Sequence, residues 1–228
     1  MYQPMLFLHW KQIRMVLALL VVASFGLPLL AVEGLGTPPG LDAGSLEAYR
    51  LVLASQTWAV FFPVLAAAIG IILGLSAWNW DHQLNHIYPL SLPLTRWEYT
   101  MLKMGAGVTL ALLPVVGMWI GAHLATAFLT LPAGLNAYPN ELTIRFLFAI
   151  VFFYGLMFAM AAGTIKTTIW VMGTFVGLVL FALLGNDLLA NYYDFFVRVN
   201  VVDLFFEWMV EAPGPFQVIT GSWSLIDV

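Results

Sequence analysis

The chain has 228 residues, of which 62% are hydrophobic and only 9% charged, with a net charge of −4 and a mean hydropathy of +0.93. Soluble domains carry about 25% charged residues, so a water-facing globule is excluded, and the acidic balance leaves no basic face for nucleic acid. With no cysteine present, disulfides, thiolate metal sites and a cysteine nucleophile are excluded too.

The apolar runs are continuous and about 20 residues long, which points to membrane-spanning helices rather than barrel strands alternating in period two. The first covers about 15–32 and follows Lys11 and Arg14. It outruns the core of a cleaved leader, and "LAVEG" is a poor cleavage site, so it reads as a retained span. The second, about 58–77, contains Gly70 and Gly74; the third, about 105–130, contains Gly117 and Gly121; the fourth, about 144–163, contains Ala159 and Gly163. A tight "GTIKTT" turn leads into a fifth at about 168–184, with Gly173 and Gly177. Small residues four apart let helix backbones approach closely, so these pairs are expected to serve helix packing. Pro28, Pro63 and Pro114 fall inside the runs and mark kinks or local irregularity. Trp58, Trp78 and Trp170 lie near run ends, where indoles favour the membrane interface.

Placing the N-terminus inside puts Lys11, Arg14, Arg96, Lys103 and Lys166 on the inner side, against Arg50, Arg145 and Arg198 outside. That asymmetry predicts a cytoplasmic N-terminus. Of the acids, only Asp81 and Glu98 fall inside.

The densest polar stretch, "WNWDHQLNHIYPLSLPLTRWEYTMLK" at residues 78–103, joins the second and third runs. Over residues 79–88, Trp80, Leu84, Ile87 and Tyr88 share one helical face, while Asn79, His82, Asn85 and His86 take the other. The pattern predicts a short amphipathic helix that Pro89 and Pro93 end, with Asp81 on an adjacent part of its surface. Thr95 and Glu98 then spell a capping box, so the next helix is predicted to begin at about Arg96. His82 and His86 stand four apart, a spacing that suits a metal, but lack a third ligand and read as a polar surface pair.

Beyond the fifth run, Asp203, Glu207 and Glu211 recur every four residues beside Val202, Phe205, Phe206 and Met209. With the apolar face of Leu188, Leu189, Tyr192, Phe195, Phe196 and Val199, they predict two amphipathic helices over 185–228, lying in the outer interface.

The run "YPLSLPLTRWEYTMLKMGAG" resembles the cytoplasmic signature of type 2 ABC exporter permeases, a Leu-Pro-x-Ser/Thr-Arg run followed by a basic residue. Leu92, Pro93, Thr95, Arg96 and Lys103 match it. The layout is similar over nearly the whole chain, including the basic N-terminus, the rhythm of the spans and an outer helical hairpin. The resemblance departs at Leu84 and Asn85, where a glycine is often found. The family also has a sixth span, and "TGSWSLIDV" stands about where it would begin, which implies a truncated chain or a five-span member.

The resemblance implies an all-α integral membrane protein, a single transmembrane domain of five visible spans in the plasma membrane. Residues 79–98 would form the coupling segment that docks a separate ABC ATPase, with Asp81, His82, His86, Leu92, Pro93, Thr95, Arg96, Glu98 and Lys103 as coupling positions. A second permease subunit would pack through the faces of Gly70, Gly74, Gly117, Gly121, Gly173 and Gly177. Independently, the chain has no Gly-x-x-x-x-Gly-Lys-Ser/Thr sequence, so ATP and magnesium would bind the partner. No Asp, Glu, Lys or Arg falls near the middle of a run, which argues against a proton-driven carrier. A lipid-like, amphipathic or peptidic cargo follows. Among the histidines only His123 falls within a run, near its outer end, and it reads as an interface residue bonded to a neighbour. No paired catalytic groups are visible in the spans, so an intramembrane enzyme is not expected. The other reading is a structural or assembly subunit without transport.

Overall fold

The computed structural model describes residues 2–33, 56–83, 95–128, 135–163 and 223–227, with residue 131 and single positions between 166 and 177. The chain forms two compact units, Met1–Phe158 with Ser222–Val228, and Ala159–Gly221. The elements are helices α1 (Tyr2–Glu33), α2 (Phe61–Gln83), α3 (Arg96–Ala127) and α4 (Pro139–Ala161). Two short strands, β1 (Asn136–Ala137) and β2 (Ile226–Asp227), complete them.

Four helical stretches are long and apolar enough to cross a membrane: Tyr2–Val32, Gln56–Gln83, Arg96–Ala127 and Pro139–Ala161. They contain the first four expected runs almost entirely. The fifth, at 168–184, and the outer helices expected before residue 223 lie outside the described residues apart from isolated helical positions. The helices overrun the apolar runs because hydropathy marks where lipid begins, not where the backbone ladder stops. At about 1.5 Å per residue, α1 and α3 each reach about 48 Å, against about 30 Å of hydrocarbon. Thus residues 2–14 belong to α1, and the helix expected over 79–88 as a continuation of the second span is continuous with α2 as far as Gln83, its remainder lying outside the described residues.

Pro28 and Pro114 lie buried inside α1 and α3. Pro63 sits in the first turn of α2, just after a break at Val60. There its missing N–H leaves no hydrogen bond unmade.

Within the first unit the glycines set the packing. Gly117 and Gly121 of α3 lie against Val21 and Phe25 of α1, so those helices run parallel. Gly70 of α2 meets Ile150, Phe153 and Tyr154 of α4, and Gly74 meets Met157 and Phe158, a second parallel pair. A methyl on Gly70 would stand 2.8 Å from the Ile150 carbonyl oxygen, closer than carbon and oxygen tolerate. Phe62, Ile69 and Leu73 of α2 and Phe146, Ile150 and Tyr154 of α4 are fully buried. Gly107 of α3 leaves room for the Tyr154 ring, whose hydroxyl donates to the Met104 carbonyl at 3.2 Å. The faces of Gly70, Gly74, Gly117 and Gly121 are therefore occupied by helices of the same chain. A second subunit would have to use other faces, which corrects the expectation for these four. Around Gly173 and Gly177 no described neighbour lies within 4 Å.

The start of α3 follows the sequence code. Thr95 is extended (φ −67°, ψ 149°), its hydroxyl accepts from the Glu98 N–H at 3.3 Å, and the Glu98 carboxylate accepts from the Thr95 N–H at 3.0 Å. Thr95→Ala is expected to cost about 1 kcal/mol and to speed amide hydrogen exchange in the first turn of α3, with Thr95→Ser retaining protection.

The strands were not expected. Asn136 pairs with Asp227 and Ala137 with Ile226 in antiparallel register, and the Tyr138 N–H donates to the Leu225 carbonyl at 2.9 Å. Trp223, Leu225 and Ile226 are buried. Within the segment where a sixth span was expected to start, Ile226 and Asp227 form β2, and the Leu225 carbonyl accepts from Tyr138 just before α4.

Candidate functional site

The site lies where α2 ends and α3 begins. Trp78 and Asp81, three apart, share one face of α2; the cap fixes the register of α3 so that Tyr99 and Lys103, four apart, share a face there. The two faces meet. The Tyr99 hydroxyl donates to the Asp81 carboxylate, 2.9 Å from Oδ1 and 3.0 Å from Oδ2. The Lys103 ammonium forms an ion pair with Asp81 Oδ2, lies 3.4 Å from the Tyr99 hydroxyl and sits 4.4 Å from the centre of the Trp78 ring. Trp78 in turn rests on Phe158 of α4, ring centres 5.1 Å apart.

Burial is nearly complete, with side-chain exposures of 11% for Lys103 and 2% for Asp81. A buried charge is tolerable only when paired and hydrogen-bonded. Here the carboxylate takes a phenol and an ammonium, and the ammonium also takes an indole face. The cluster thereby ties α2, α3 and α4 at one end of the bundle.

The sequence-derived coupling positions separate accordingly. Asp81, expected on the helix surface, is buried because Lys103, Tyr99 and Trp78 close over it. Lys103 likewise points inward. Thr95, Arg96 and Glu98 are exposed, and His82 is half-buried. Trp97, beside them, is 69% exposed. His86, Leu92 and Pro93 lie outside the described residues. The ion pair had a signal in the sequence: α2 contains one acid, Asp81, and α3 one lysine, Lys103, at the facing ends of consecutive helices.

A second polar pair lies in the same unit. Because α1 begins at Tyr2, His9 belongs to it and is buried, so His123 is not the sole histidine of the long helices. His9 Nε2 is 3.0 Å from the Ser76 hydroxyl oxygen, and that hydroxyl donates to the Leu73 carbonyl at 2.9 Å. His9 Nδ1 is buried and has no hydrogen-bond partner among the described residues. A His–Ser pair is thus present within the long helices, where the sequence had shown no paired groups.

At the opposite end of the bundle, His123 Nε2 and Trp119 Nε1 lie 3.0 and 3.1 Å from Asn140 Oδ1, joining α3 to α4. His123 is bonded to a neighbour, as its place near a span end suggested.

No protein-family model, curated protein or solved structure matches this chain.

Proposed function

We propose that this chain is the membrane-spanning subunit of an ATP-driven type 2 ABC exporter in a plasma membrane, with its N-terminus cytoplasmic and ATP hydrolysed by a separate subunit. The observation that carries this reading is the anchoring of the α2–α3 connection. On one side the Thr95–Glu98 capping box satisfies backbone donors at the start of α3. Just beyond it, the Asp81–Tyr99–Lys103 cluster joins the ends of α2 and α3. A push on the head of α3 would reach α2 and α3 together through this cluster.

In this reading Arg96 and Trp97, exposed at the head of α3, face the ATPase, while Asp81 and Lys103 act behind the docking surface. Leu92 and Pro93 enter through the sequence resemblance. The cargo is lipid-like, amphipathic or peptidic, since no Asp, Glu, Lys or Arg falls near the middle of the apolar runs read from the sequence.

Purification of the chain from its native membrane in mild detergent is expected to bring down a P-loop ATPase in stoichiometric amount. Arg96→Glu should then lower ATPase stimulation by about ten-fold, the scale of a reversed interfacial charge, with membrane insertion unchanged. Normal stimulation by this variant removes Arg96 from the coupling surface. A preparation free of any ATPase instead assigns the chain to the structural-subunit class.

A further inference from the structure

On α1, His9, Ile13, Leu17, Ser24, Pro28 and Ala31 are buried and mark the face turned into the bundle. Phe7, Lys11, Arg14, Ala18 and Val22 recur at spacings of three and four residues on the far side, and all five are exposed. Phe7 and Val22 are each 67% exposed, and Met15, beside Arg14, 75%. Two cations therefore interrupt an outward apolar stripe on a helix that reads as a span.

Neither has a carboxylate among the described residues. Two acids belong to this end of the bundle: Asp81 is held by Lys103 and Tyr99, and Glu98 closes the cap of α3. A cation at a lipid-facing position must reach the interface or an anion. Helical side chains lean toward the N-terminus, so both can extend toward a headgroup layer on the N-terminal side of the first apolar run. Trp10, 39% exposed, lies beside them and suits that layer.

We propose that Lys11 and Arg14 form a docking site for the headgroup of an anionic phospholipid, bound through its phosphate against the outward face of α1. The two cations match a lipid with net negative charge, and Met15 and Val22, further along the same helix, match its acyl chains.

The test uses the full chain in nanodiscs of phosphatidylcholine alone or mixed with phosphatidylglycerol. Native mass spectrometry counts retained lipid, and thermal unfolding reports stability. Phosphatidylglycerol is expected to be retained preferentially and to raise the unfolding midpoint. Lys11→Gln with Arg14→Gln should reduce that preference on the order of ten-fold, given the usual contribution of basic residues near an anionic surface. In phosphatidylcholine alone the variant should unfold with the wild-type midpoint. Arg96→Gln, away from the stripe, should keep the preference. An unchanged preference in the double variant overturns the site, and so does an equal loss in Arg96→Gln, which would mean interfacial charge in general. Equal stabilisation by soluble glycerol phosphate in detergent would also overturn it, since the site would then be one for a free anion.

Discussion

Asp81→Ala is expected to destabilise the protein by about 3–5 kcal/mol, the loss typical when one partner of a buried ion pair is removed. The variant strands the Lys103 ammonium, which is 11% exposed, and takes from Tyr99 the acceptor of its buried hydroxyl. The Trp78 indole face remains for the cation, but it cannot replace a carboxylate. Asp81→Leu combined with Lys103→Met should recover most of the loss, because an apolar pair of similar volume avoids desolvating two charges. Denaturant titration of the wild type, Asp81→Leu, Lys103→Met and the double variant completes a double-mutant cycle. A coupling energy near zero would mean that the charges do not stabilise each other across α2 and α3. If the double variant is stable yet fails to stimulate the ATPase, the pair serves coupling beyond stability.

Gly121→Leu is expected to cost about 3 kcal/mol, the upper part of the range for overpacked sites. A methyl there would overlap the Phe25 carbonyl oxygen. That atom belongs to backbone, so no rotamer change relieves the clash and α1 must be displaced. Gly26 and Gly155 provide the contrast, since nothing lies within 4 Å of a methyl at either. Alanine there should be neutral or stabilising by up to about 1 kcal/mol through helix propensity. Unfolding midpoints of the three variants separate close approach from a general dislike of larger residues. A small loss at Gly121 would show that α1 and α3 are less tightly apposed.

The features readable in the sequence are those whose physics is local. The Thr95–Glu98 cap is a four-residue code and appears where it was read. Gly70, Gly74, Gly117 and Gly121 were legible as packing positions, because absence of a side chain has one obvious use in a membrane helix. Their partners were not legible: α1 packs along α3 and α2 along α4, and spacing within one helix carries no information about which other helix it meets. Asp81 was misplaced for the same reason. A carboxylate in a polar stretch counts as surface until the residues that cover it are known, and Lys103 and Tyr99 belong to the next helix. Residues 2–14 were left outside the first span because Lys11 and Arg14 lower its hydropathy, although nothing in them breaks a helix, and His9 went unnoticed with them. Strand β2 pairs with a segment far away in the chain, and two residues of ladder leave no periodicity to detect.

The parallel pairing has a consequence for biogenesis. During synthesis α1 is complete long before the stretch around Gly117 and Gly121 exists, and α2 before Ile150 to Phe158 of α4. Each early helix must therefore wait in lipid with its contact face open until a helix two places later arrives. Asp81 stands at the trailing end of α2, so its carboxylate can remain in water during that wait. The order of emergence lets α2 insert as an almost uncharged segment, and its one acid is drawn inward when Lys103 follows.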